Sequence, residues 1–97
     1  PVFSYEDHDL YIDREVKLTD LLIGTKIEIP TLDGKSLNLK VPAGTQPNTR
    51  MRLKGYGRPR MRKDQRGDLY ARIVAKIPKS LNKKQKSLVQ ELAKAGL

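Results

Sequence analysis

The stretch Thr25-Lys26-Ile27-Glu28-Ile29-Pro30-Thr31-Leu32-Asp33-Gly34-Lys35-Ser36-Leu37-Asn38-Leu39-Lys40-Val41 decides the fold class. Ile27 and Ile29 alternate with Lys26 and Glu28, and Leu37, Leu39 and Val41 alternate with Asn38 and Lys40. Successive side chains of a strand point to opposite faces, so each run offers one apolar face and one polar face. Asp-Gly between two such runs signals a tight hairpin turn whose two central residues both take positive φ. Pro30 has no N–H to donate, which places its strand at a sheet edge or at a bulge.

The same alternation extends outward in both directions. Upstream, Leu10, Ile12, Val16 and Leu18 share one face, interrupted by Arg14, while Tyr11, Asp13, Glu15 and Lys17 share the other. Thr19 then reads as an N-cap, with Asp20 in the first turn and Gly24 as the stop of a helix too short for more than a turn or two. Downstream, Pro42-Ala43-Gly44 and Pro47-Asn48 punctuate a loop. Arg50 to Lys54 reads as a short strand with Met51 and Leu53 inward and three cations outward. Residues 55–59 are irregular, and residues 60–67 read as a mobile basic loop. Residues 68–77 read as the longest strand, with Leu69, Ala71, Ile73, Ala75 and Ile77 on one face. Past Pro78, Asn82 and Gln85 have capping-box spacing. The helix they open runs to about Ala95, stops at Gly96, and carries the apolar stripe Leu88, Val89, Leu92 and Ala93. The expectation is a mainly β fold: a small antiparallel β-sandwich over residues 1–78 with one short helix, then a C-terminal helix within 79–97.

Composition fits one small domain. The chain has 97 residues, 37% hydrophobic and 32% charged, and a chain of this size buries about 60–65% of its extended surface. No apolar run is long enough to cross a membrane as a helix, and no secretory leader is visible. The first residue is Pro1, so the chain reads as a segment of a longer protein. Zero Cys excludes disulfides, thiol catalysis and Cys-ligated metal sites, and agrees with a cytoplasmic location. Charge is uneven. Residues 1–35 hold four Lys/Arg against eight Asp/Glu, a net −4, and residues 36–97 hold sixteen against three, a net +13.

Little in the chain suggests catalysis. His8 between Asp7 and Asp9 has the residue types of a ligand cluster or general base, but a solvated turn before the first strand explains it more simply. Asp13 and Glu15 share one strand face as an acid–base pair would, and equally as an exposed polar face would. Gly55-x-Gly57 lacks the third Gly and the helix of a dinucleotide loop. No catalytic residue, metal site or cofactor is expected. The basic stretch carries the one competing function. Arg50, Arg52, Lys54, Arg58, Arg60 and Arg62 form the footprint of a nucleic-acid-binding domain, although single-strand binders interleave aromatics and only Tyr56 lies in the stretch.

Four motifs in order carry a family resemblance. They are Asp9-Leu10-Tyr11-Ile12 with Val16 to Gly24; Ile29-Pro30-Thr31-Leu32-Asp33-Gly34; Val41-Pro42-Ala43-Gly44-Thr45-Gln46 leading to Arg52 through Pro59; and Arg66-Gly67-Asp68-Leu69-Tyr70 closing at Ile77-Pro78, then Leu81 and Gln85. Together they resemble the carboxy-terminal substrate-binding region of DnaJ-type (J-domain) co-chaperones, over nearly the whole chain. That region contains two similar sandwiches in series, and this chain resembles the second of them plus the dimerisation segment. The resemblance implies no enzyme. It implies a module that binds unfolded polypeptides, forms a homodimer through Leu88, Val89 and Leu92, and delivers clients to a DnaK-type ATPase chaperone through parts outside this chain. DNA remains an alternative partner, and no membrane partner is implied. It places the client groove at the strand Thr25 to Ile29 and a partner strand near Val16 and Leu18, with Val16, Leu18, Lys26, Ile27 and Ile29 as contacts. The four aliphatic positions read equally well as hydrophobic core. The chain departs from the family pattern at Phe3/Tyr5, where a Phe-x-Arg pair is common, and at Asn48, where Gly is common. Asn is the best non-Gly residue for a positive-φ turn. The His-Pro-Asp tripeptide is missing from this chain.

Overall fold

A computed structural model describes residues 3–59 and 66–97. Its elements are β1 (Ser4–Glu6), β2 (Asp9–Lys17), α1 (Leu18–Ile23), β3 (Thr25–Pro30), β4 (Ser36–Val41), β5 (Arg50–Leu53), β6 (Leu69–Lys76) and α2 (Lys83–Lys94). The expected mainly β fold with a short helix and a terminal helix is found. Four strands form one sheet in the order β1-β2-β6-β5, and β3 and β4 form a second, two-stranded sheet. The pairs β1–β2, β3–β4 and β5–β6 are antiparallel, whereas the central pair β2–β6 is parallel, from Leu10↔Leu69 to Lys17↔Lys76. A parallel pair needs a long crossover. Here the crossover contains α1, the β3–β4 hairpin and β5.

The alternation in the sequence sets what is buried. Leu10, Ile12 and Val16 of β2 and Leu69, Ala71 and Ile73 of β6 point to the inner face, where Ile29 of β3 and Val41 of β4 close over them. The core has two centres. One joins Leu10, Ile12, Ile29, Leu69 and Ala71; the other joins Val16, Leu21, Val41 and Ile73. Half-buried Ile27 packs against both. Arg14, half-buried, sits in the inward alternation between Ile12 and Val16, where the two centres part.

Several local expectations need correction. The strand β1 was not anticipated; it folds back on β2 through the Asp7-His8 turn, with Asp7 at φ 59°. His8 thus lies in a turn between two strands rather than before the first, half-buried, with its carbonyl accepting from Arg58 N–H. α1 starts at Leu18 with Lys17 as its N-cap and no side-chain cap bond, so Thr19 is not the cap. In the hairpin only Gly34 takes positive φ, at 82°, and Asp33 does not. Thr31 N–H donates to Lys35 O (2.9 Å) and Gly34 N–H to Thr31 O (3.2 Å). The connection is therefore a turn followed by one left-handed residue, a longer loop than the two-residue form. The Thr31 hydroxyl, placed between the Asp33 carboxylate and Lys35 O, holds the Asp33 carboxyl below its usual pKa. β2, with nine residues, is longer than β6 with eight, because Asp68 and Ile77 fall outside the ladder. Pro30 ends a strand that is itself an edge, as its missing N–H requires.

α2 forms where expected and is capped at both ends. Gln85 N–H donates to Asn82 Oδ1 (2.8 Å), and Asn82 N–H donates to Gln85 Oε1 (2.9 Å). At the other end Leu97 N–H donates to Leu92 O and Gly96 N–H to Ala93 O, with Gly96 at φ 93°, the Schellman pattern. The helix has no buried residue and belongs to a molecule 56 × 21 × 21 Å in extent.

Candidate functional surfaces

Three surfaces arise from this frame. The first lies around the β3–β4 hairpin and α1. Val16 is 4% exposed and Ile29 0%. Both belong to the core, so as side-chain contacts for a client they drop out. β3 pairs with β4 and lies in the opposite sheet from β2, so the expected partner strand near Val16 and Leu18 is not its hydrogen-bonded neighbour. Leu18 and Lys26 are exposed and Ile27 is half-buried. Sequence reasoning missed Leu22 and Ile23, both exposed, with Ile23 at 77%. A signal was available: two large aliphatics follow inward-facing Leu21 in a helix of barely two turns, which can turn only one of them to the core. Ile77 is also exposed, at the same end of the sheet as Leu18, since the two directly follow the paired residues Lys76 and Lys17.

The second surface is the stripe of α2. Leu88, Val89 and Leu92 are 50%, 48% and 48% exposed. They share one side of the helix, and they are not covered by the sandwich.

The third surface is the outer face of the four-stranded sheet. Arg50 and Arg52 project there from β5, and Lys54 follows, also exposed. Arg52 Nε donates to Asp68 Oδ2 (2.7 Å), and Gly55 N–H donates to Asp68 Oδ1 (2.9 Å). The Gly55 bond first, and Arg52 with it, holds the Asp68 carboxyl below its usual pKa. Arg72 forks onto Asp13 (Nε–Oδ1 2.8 Å, Nη2–Oδ2 2.6 Å), which lowers the Asp13 pKa and raises that of Arg72. Arg58 lies over the Tyr5 ring at 4.8 Å, and Tyr5 is paired with inward-facing Leu10, so Arg58 stands apart from this outer face. Arg60 and Arg62 lie outside the described residues. Among the described residues no cluster of His, Cys, Asp and Glu is arranged to hold a metal, and no helix is long and apolar enough to cross a membrane.

Asp68 yields a pH prediction. Its folded pKa is lowered, so the stability it contributes is complete above the ordinary value of 3.8 and is lost as pH falls through the folded value. Asp68→Asn should therefore lower the melting temperature at neutral pH, and the gap from the parent should close as pH falls below the ordinary value of 3.8 and through the lowered folded value. A gap constant down to low pH would remove the carboxylate from this role. The Asp13–Arg72 pair, with side chains 58% and 43% exposed, is screened by solvent and should shift melting much less.

The order of elements, the short helix after the long strand and the terminal helix meet the family expectation. The DnaJ C terminal domain model matches residues 1–78. The chain belongs to the DnaJ C terminal domain family. Relatives named Chaperone protein DnaJ extend the match through α2. The protein from Clostridioides difficile is 46% identical over 94 residues, covering 97% of this chain and 24% of the relative. Those from Pelagibacter ubique and Chlorobaculum tepidum are 42% and 44% identical, covering 93% and 97% of this chain. The chain thus spans about a quarter of the length of the DnaJ chaperones it matches.

Proposed function

We propose that this DnaJ C-terminal chain is the second sandwich and dimerisation segment of a cytoplasmic co-chaperone that binds unfolded polypeptides and serves a DnaK-type ATPase. The observation that carries the reading is the two-stranded sheet β3–β4, which leaves an outer edge of each strand unpaired among the described residues. It lies next to apolar side chains that are incompletely buried: Ile27, Leu37 and Leu39 in the hairpin, and Leu18, Leu22 and Ile23 on α1. An extended client adding to such an edge gains backbone hydrogen bonds regardless of its sequence, while its apolar side chains find shallow contacts. Leu18, Lys26 and Ile27 remain the contacts of the implied site. Lys26 suits an acidic residue in the client or in a tail of the ATPase partner. This role needs no bond-breaking chemistry and no cofactor.

A labelled extended apolar peptide tests the edge. We expect binding that falls at least about tenfold when alternate peptide amides are N-methylated, since each backbone bond contributes roughly 0.5–1.5 kcal/mol. Equal binding of the two peptides would remove strand addition.

Dimerisation through α2 belongs to the same proposal. A helix this short is marginal in isolation, and half-exposed Leu88, Val89 and Leu92 need a surface to cover. Two arms on one dimer also raise the effective concentration of a second site for a long client. Leu88→Asp combined with Leu92→Asp should sediment as a folded monomer where the parent sediments as a dimer. A variant that remains dimeric would reject α2 as the interface.

A further inference from the structure

The outer face of the four-stranded sheet is not used by the client-binding and dimerisation proposals, yet it holds an aromatic–arginine cluster. The β2–β6 register sets Tyr11 beside Tyr70, and the β5–β6 register sets Arg52 opposite Tyr70 and Arg50 opposite Arg72. The two rings stack, with centroids 5.2 Å apart and planes 14° apart. The Arg50 guanidinium lies over Tyr11 at 5.5 Å. A groove of about 280 Å³ crosses the strands here and is lined by these tyrosines, Arg50, Arg72 with its partner Asp13, and residues Ser4 to Glu6 of β1. Partial burial raises the Tyr11 phenol pKa, and Glu6 adds to the shift, so Tyr11 remains a neutral ring at physiological pH.

The charges on this face divide into two groups. Arg52 and Arg72 are braced by Asp68 and Asp13. Arg50 and Lys54 make no ion pair among the described residues. Glu6 makes the β1 end of the groove acidic, so a polyanion is favoured along the β5 side. Stacked aromatics beside unpaired cations are what a single-stranded nucleic acid needs, because its bases expose π-faces that a duplex hides. An acidic peptide would use the cations but leave the stacked rings without a role.

We propose that this face binds single-stranded nucleic acid, with a base stacking at the Tyr11–Tyr70 pair and phosphates on Arg50 and Lys54. The proposal is independent of the client-binding reading.

A fluorescein-labelled 12-nucleotide oligo-dT, followed by anisotropy across a salt series, tests it. Two unpaired cations predict a slope of log K against log salt of about −1.4, from about −0.7 per phosphate contact. Tyr70→Ala should weaken binding at least about fivefold, the low end for loss of one stacked base. Arg50→Gln, an exposed change on an edge strand, should weaken binding and make the slope shallower by about 0.7. The chain has four Tyr and no Trp, so bound bases should quench tyrosine emission. Tyr11→Phe with Tyr70→Phe should keep the affinity and lose most of that quenching. Circular dichroism melting identifies any variant that does not fold, and Arg50→Gln with the Phe pair then decides. Four results would each overturn the proposal: no binding at low salt, affinity indifferent to Arg50→Gln, a duplex bound as tightly as the single strand, or polyglutamate displacing the oligonucleotide as well as unlabelled oligo-dT does.

Discussion

Gly67→Ala should cost this domain about 3 kcal/mol or more, at the severe end of single substitutions. A Cβ at Gly67 would lie 2.0 Å from His8 O and 2.5 Å from His8 C, against backbone that has nowhere to go. Gly57 meets the same turn from the other side, its Cβ 2.5 Å from His8 O and from Gly67 C. The two glycines let the ends of the 58–66 loop press against the β1–β2 turn. Arg58 N–H donates to His8 O (2.8 Å), Gly57 N–H to Gly67 O (2.8 Å) and Gly67 N–H to Arg58 O (2.9 Å). Asp9 Oδ1 accepts from Asp68 N–H (2.7 Å). A side chain here pushes these bonds apart together and loosens the start of the parallel β2–β6 ladder. At about 4–8 °C per kcal/mol for a domain of this size, the melting temperature should fall by roughly 12 °C or more. Gly44→Ala is the control. Its φ is 83° but no atom lies within 4 Å, so only left-handed strain of about 1–2 kcal/mol is expected. Equal losses at the two positions would reject the close-approach account.

Ile29→Ala should cost about 3–4 kcal/mol, within the usual range for emptying a buried aliphatic site. Ile29 is fully buried and is the hairpin residue in the core cluster that joins it to Leu10 and Leu69. Among the described residues nine apolar side chains are buried, so few neighbours can shift to refill the space. Domains have about 5–15 kcal/mol of total stability, and this loss is a large part of it. Denaturant unfolding measures it directly, with a lower midpoint and an unchanged slope as the expected result. Half-buried Ile27→Ala should cost less. If Ile29→Ala left stability intact and only weakened client binding, Ile29 would return to the client surface and the packing of the hairpin on the main sheet would be misplaced.

The elements were legible because their signals are local. Alternation in 10–18, 25–41 and 69–77, the Gly at 34 and the Asn82/Gln85 cap spacing each depend on residues only a few positions apart. The errors were local competitions decided by tertiary packing. α1 begins one residue before Thr19 because Leu21 has to reach the second core centre with Val16, Val41 and Ile73. Asn48, the departure from the family's Gly, takes φ 68° and leaves its loop intact. The client positions were legible only as a choice between groove and core. Alternation tells which residues share a face, whereas Val16 and Ile29 are buried because another sheet covers that face.

By itself the sequence determined a mainly β chain with a capped terminal helix, an unbalanced charge and a DnaJ-type pattern, since strand period, cap geometry and composition are properties of neighbouring residues. Only the tertiary structure decided which strands meet. Asp13 and Arg72 are 59 positions apart, yet they form a fork across a parallel pair. The same pairing stacks Tyr11 on Tyr70 and brings Arg50 over the ring. The basic stretch, read alone, had one aromatic in it; the sheet supplies two more. Nothing in alternation specifies the partner of a strand. That choice follows from which pairing lets Leu10, Ile12 and Val16 share one covered face with Leu69, Ala71 and Ile73, a condition set by the whole chain at once.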